Sequence, residues 1–123
     1  MHNQKIAKIG EDIAARHLIN NQYSIISTNV IYRVGEIDII AQRNQELIFV
    51  EVKTRTNWKF GYPEDAFDSR KKQRLEAAIN RYLYKTDYQG NFRVDLIAID
   101  LSGKKAELRH YKGIEFDEYT PSL

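Results

Sequence analysis

The chain of 123 residues contains no cysteine. Disulfides, thiolate metal centres and cysteine nucleophiles are excluded, and a reducing compartment fits that composition. Any metal ion must be held by oxygen or imidazole. The three histidines, His2, His17 and His110, lie far apart in sequence with no H-x-x-x-H spacing, which gives zinc little support. Hard cations on carboxylates stay open. Long apolar runs are also missing. No stretch approaches the roughly 18 residues that span a bilayer, and the N-terminal MHNQKIAKIG lacks the apolar core of a secretory signal. A cytoplasmic protein without membrane contact is expected. An excess of either charge is lacking too: 19 basic against 17 acidic residues leave a formal +2. That balance alone does not mark a nucleic-acid binder. Placement matters more, because Arg55, Lys59, Arg70, Lys71, Lys72 and Arg74 fall in one stretch, relieved by Glu64, Asp65 and Asp68.

What is present suffices for one core: 42% of the residues are hydrophobic, and the length suits a single domain over 1–123. From Lys5 to about Asn21, Ile6, Ile9, Ile13, His17 and Leu18 recur at helical spacing, with Gly10 and Ala14 on the same stripe. Residues 23–32 are rich in β-branched and aromatic types and predict a strand, with Val34-Gly35 as its turn. EIDIIAQ and ELIFVEVKT predict an antiparallel hairpin around Arg43-Asn44-Gln45. A loop with Trp58, Gly61 and Pro63 precedes a second helix from about Glu64 to Tyr84, carrying Phe67, Leu75, Ala78, Ile79, Tyr82 and Leu83, with an acidic first turn. Phe92 to Leu101 and Ala106 to Tyr111 complete the strands, and a loose tail is expected from about 113. The fold class is α/β, in the order α-β-β-β-α-β-β.

Side chains on a strand alternate between faces. Glu36 and Asp38 therefore share one face of the second strand, with Ile37 and Ile39 on the other. Glu51 and Lys53 share a face of the third, opposite Ile48, Val50 and Val52. Pairing these strands converges two or three carboxylates and an amine on one patch. Like charges so close raise one another's pKa or require a cation. Mg²⁺ (or Mn²⁺) suits such a patch, taking one or two carboxylates with waters and a substrate phosphate. Lys53 would orient or help deprotonate the attacking water, or stabilise charge developing on phosphorus. The same alternation also describes a solvated sheet face, with Glu36 or Glu51 pairing with Lys53 or Arg33 across strands.

GEIDII followed by FVEVKTR resembles the PD-(D/E)xK nuclease signature, with Ile37 where the name has proline. The wider string, over residues 5 to 100, is similar to the bacterial uncharacterised protein family 0102, regarded as endonucleases related to archaeal Holliday-junction resolvases. The likeness rests on Gly10-Glu11, Asn29, Gly35-Glu36-Ile37-Asp38, Glu51-Val52-Lys53, Lys71, Arg74-Leu75, Tyr82-Leu83, Arg93 and Asp95. It implies a restriction-endonuclease-like core, a mixed central sheet flanked by helices. It further implies a metal pair of Asp38 and Glu51, a catalytic Lys53, and a further acid, Glu11, approaching from the first helix. A homodimer is allowed by analogy with resolvases.

Helix geometry sets Glu11 near Ala7, Ala14 and Leu18, on the border of the buried stripe; an exposed glutamate near a helix start is the plainer reading. Lys71 shares the face of Phe67, Leu75 and Ala78, so it faces the site or a phosphate, or snorkels over the core to water. Arg55, Lys72 and Arg74 are candidate phosphate clamps that would carry no sequence information. Tyr82, Phe49 and Phe92 follow apolar patterns and are assigned to the core, whereas Trp58 and Phe60 either stack on bases or pack the helix. The expected function is a metal-dependent endonuclease acting on DNA, with branched or distorted structures as the substrate. The alternatives are a nucleic-acid-binding module with a degenerate site and a protein-interaction adaptor.

Overall fold

The structure is a computed structural model that describes residues 2–59 and 61–116. Eight elements follow one another: α1 (His2–Asn20), β1 (Ser24–Tyr32), β2 (Gly35–Arg43), β3 (Glu46–Arg55), a 3-10 turn (Pro63–Ala66), α2 (Ser69–Thr86), β4 (Asn91–Asp100) and β5 (Glu107–Tyr111). The five strands form one sheet in the order β1-β2-β3-β4-β5. β3 and β4 are parallel, joined through α2, and the other neighbours are antiparallel. This is the mixed α/β architecture expected from the sequence.

Each helix covers one face. Ala14 and Leu18 of α1 bury against Ile39, Ile48, Val50, Val52, Ile97 and Ile99. Leu75, Ala78 and Ile79 of α2 bury against Ile37, Ile40, Phe49, Phe67, Val94 and Leu96. The hairpin between β2 and β3 turns on Asn44 and Gln45, whose φ values of 52° and 65° are both positive, as a tight two-residue hairpin turn requires. No helix among the described residues is long and apolar enough to cross a membrane.

Several local expectations are corrected. The buried stripe of α1 centres on Gly10, Ala14 and Leu18, while Ile9 is 39% exposed. A Cβ at Gly10 would meet Thr54 Oγ1 at 1.9 Å, so the missing side chain is what lets α1 lie against β3. Gly35 is not part of the turn, which falls on Arg33-Val34; it begins β2, where a Cβ would lie 2.1 Å from the Arg74 carbonyl oxygen of α2. The second helix does not start at Glu64. Residues 63–66 form the 3-10 turn, and Asp68 caps α2 by accepting the Lys71 backbone N–H at 3.0 Å, which leaves the first turn of α2 itself without an acid. Phe92, assigned to the core, is 45% exposed and meets Phe49 edge-on. The expected tail begins in order: Gly113 N–H donates to Asp95 and Ile114 N–H to the Val94 carbonyl. Residues 117–123 and Phe60 lie outside the described residues.

Candidate active site

The β2–β3 ladder runs from Arg43↔Glu46 to Ile39↔Val50 and stops there. Asp38 is the next residue, and its Oδ2 accepts the Val52 backbone N–H at 2.8 Å. A carboxylate thus takes the place of a ladder carbonyl, and the two strands part. The neighbouring strand bends at the same level, where Asn29 holds φ 51° between the pairs Thr28↔Ile39 and Val30↔Ile37. Asn tolerates this left-handed region better than most residues. The bend breaks the alternation of β2: Ile37 packs in the α2-side core and Ile39 in the α1-side core. The expectation that Ile37 and Ile39 share a face is overturned, because period-2 reasoning presumes an unbroken strand. β3 keeps its alternation, with Ile48, Val50 and Val52 together on the α1 side.

A cleft of about 1030 Å³ opens where the strands part. The first half of α1 and the start of α2 form its sides; Glu11, Glu36, Asp38, Glu51 and Lys53 all border it. Glu51 is buried, and its Oε1 lies 3.3 Å from Lys53 Nζ. The carboxyls of Glu51 and Asp38 are neighbours whose ionisations depend on each other. Burial, then the negative charge of Asp38, pushes Glu51 up to about 8. Burial likewise raises Asp38, against the opposing pull of the Val52 N–H. Glu11 is raised by burial and by Asp38, and its Oε1 is buried with no hydrogen-bond partner among the described residues.

These groups are of the kind a hard divalent ion takes. The donors are all carboxylate oxygens, burial raises the pKa of two of them, and one buried oxygen is orphaned. Among the described residues, however, no three acidic or imidazole groups converge into a ready metal cage. The close pair is Asp38 and Glu51. Glu11 approaches electrostatically, and Glu36, also expected as a ligand, is exposed at the rim. Two carboxylates with remaining positions for water and phosphate is the usual Mg²⁺ arrangement.

The expected clamps separate. Lys71 and Arg74 are exposed and border the cleft from α2, and Arg55 borders it from β3, half-buried, with a buried Nε lacking a partner among the described residues. Lys72 does not border it; its ammonium sits 5.7 Å from the centre of the Phe67 ring. Thr54, Thr56 and Asn57 line the cleft without having been singled out, since small polar residues at a strand end carry no distinctive signal. A second polar cluster lies between α1, β4 and β5. Asp95, fully buried, accepts from Arg93 Nε at 2.8 Å and pairs with His110 Nε2 at 2.7 Å. His110 Nδ1 in turn meets His17 Nε2 at 3.0 Å. Two histidines with no recognisable spacing are therefore neighbours, locking α1 to β5; a separation of 93 residues gives no sequence signal.

The model of the uncharacterised protein family UPF0102 matches residues 10–99, the span that holds Glu11, Asp38, Glu51, Lys53 and α2. A UPF0102 protein of Flavobacterium johnsoniae is 39% identical over 113 residues, covering 89% of this chain and 91% of the relative. One from Flavobacterium psychrophilum is 39% identical over 111 residues, covering 90% and 92%. Another from Alkaliphilus oremlandii is also 39% identical over 111 residues, covering 88% and 95%. With its cleft-forming core inside the family model and its relatives aligned along most of their length, the chain belongs to the uncharacterised protein family UPF0102.

Proposed function

We propose that this chain is a cytoplasmic Mg²⁺- or Mn²⁺-dependent endonuclease that hydrolyses phosphodiester bonds in DNA, with branched or distorted DNA as its substrate. The observation that carries the reading is half-buried Asp38 beside buried Glu51, with Lys53 at 3.3 Å from Glu51, in a cleft bordered by Arg55, Lys71 and Arg74. A solvated sheet face would not bury Glu51 or hold its pKa well above the usual carboxylate range.

Asp38 and Glu51 would hold the ion, with Glu11 adding negative charge behind Asp38. When bound, a divalent ion supplies Lewis-acid polarisation of a phosphoryl oxygen and lowers the pKa of water. Lys53, paired with Glu51, would orient the attacking water and stabilise the charge that develops as the water oxygen bonds to phosphorus and a sugar oxygen leaves. Lys71, Arg74 and Arg55 hold the strand by its phosphates, independent of sequence.

The test is a panel of single-stranded, duplex, flap and four-way-junction substrates with Mg²⁺, Mn²⁺ or EDTA, beside Lys53→Ala. Metal-dependent cleavage that falls by about 10²-fold or more in the variant is expected. No cleavage of any substrate overturns the reading. Steeply salt-dependent binding without cleavage would then mark a binding module, and no binding at all would leave a protein-interaction role.

A further inference from the structure

Beside the cleft, the loop after β3 presents aromatic surface to solvent. Trp58 is 61% exposed and Tyr62 53%, with ring centres 5.7 Å apart at an angle of 51°. Exposed rings on a loop usually move freely, but these are fastened from beneath. Trp58 Nε1–H donates to Asp100 Oδ2 at 2.8 Å, and Asp100 is itself 3% exposed and fixed by Ser102 N–H. Tyr62 lies under the Arg109 guanidinium, 5.9 Å from its ring centre. Arg109 is gripped by Glu64 through two hydrogen bonds, and Tyr111 O–H donates to the same carboxylate at 2.6 Å. Thr56 and Asn57, immediately before Trp58, line the cleft.

We propose that Trp58, with Tyr62 beside it, is a stacking platform for an unpaired nucleobase of the strand whose phosphates occupy the cleft. The proposal rests on the nucleic-acid reading of the cleft and narrows its substrate to strands with exposed bases. One observation selects a base over an apolar protein segment. Trp58 directly follows Thr56 and Asn57, which line the cleft together with the basic residues Arg55, Lys71 and Arg74. A ring already immobilised by Asp100 loses little freedom on stacking. Duplex bases, stacked on each other, offer no free face, so the platform favours single strands, flaps and junction openings.

Trp58 is the single tryptophan, so its fluorescence reports on this ring alone. A labelled oligonucleotide, as a single strand and as a blunt duplex, is titrated into the full chain with Ca²⁺ present. Label anisotropy reads binding and tryptophan emission reads stacking. The single strand is expected to bind and quench the emission, and the duplex to leave it unchanged. Trp58→Ala should weaken single-strand binding by about 5- to 100-fold and duplex binding by no more than about twofold, with Trp58→Phe between wild type and Trp58→Ala. Binding with unchanged emission, equal quenching by both forms, or full affinity in Trp58→Ala overturns the platform while the phosphate-binding cleft stands. No anisotropy change with either form overturns both.

Discussion

Asp38 does two jobs that pull in opposite directions: it replaces a ladder carbonyl for Val52 and faces another carboxyl. The partner shows the consequence in its titration. Glu51, held near 8 when folded and starting from 4.5, keeps a proton that the unfolded chain releases between those values. The folded state therefore binds more protons in that window, so its stability falls as pH rises from about 4.5 to about 8. In metal-free buffer, Glu51→Gln should flatten this slope and melt higher than wild type above pH 8, by at least about 1 kcal/mol, the worth of one pKa unit. Denaturation across that pH range measures it, and a variant with the wild-type slope would show that Glu51 is not the titrating group. The Glu51–Lys53 pairing was legible because β3 is unbroken. The route of Asp38 was not, because a side chain standing in for a ladder carbonyl leaves no periodic trace; the structure sets Asp38 at the border of the cleft.

Elements are placed by close approaches that a hydrophobic pattern does not report. The chain order of the strands followed from β-branched runs, the β2–β3 pairing from the turn at Arg43-Asn44-Gln45, and the helices from their apolar spacing; the parallel pairing of β3 with β4 left no such signal. The start of α2 was misplaced because Glu64 and Asp65 look like a helix start, while the cap is Asp68. The contact of α1 with β3 depends on Gly10 meeting Thr54, and that contact brings Glu11 to the cleft. Gly10→Ala should destabilise the protein by about 1–3 kcal/mol, the usual range for overpacking. Thr54→Ala, which removes the Oγ1 and Cγ2 that a Cβ would strike, should recover most of that loss. A double-mutant cycle by urea denaturation reads the coupling, and simple additivity would mean that α1 does not depend on this approach.

Across the whole molecule, a net charge of +2 hides a division that only the fold reveals. Lys71 and Lys72 are adjacent, yet one borders the cleft and the other lies against Phe67. Lys71→Glu should weaken DNA binding and lower the slope of log affinity against log salt by about one unit, and Lys72→Glu should change the slope less. Binding titrations at several salt concentrations check both, and equal effects would mean that general charge, and not the cleft, holds the DNA. The central claim is that this cleft is a divalent-metal site, and Asp38→Asn tests it most directly. The substitution keeps an oxygen for the Val52 N–H but removes the charge a hard cation needs. Melting curves of both proteins, without metal and with Mg²⁺ or Mn²⁺, are the measurement. The account predicts that metal-free Asp38→Asn melts as high as wild type or higher, since the desolvation that opposes a charged Asp38 is removed, and that metal stabilises wild type more. A variant that melts clearly lower and a wild type indifferent to metal would contradict it and make Asp38 a structural hydrogen-bond acceptor.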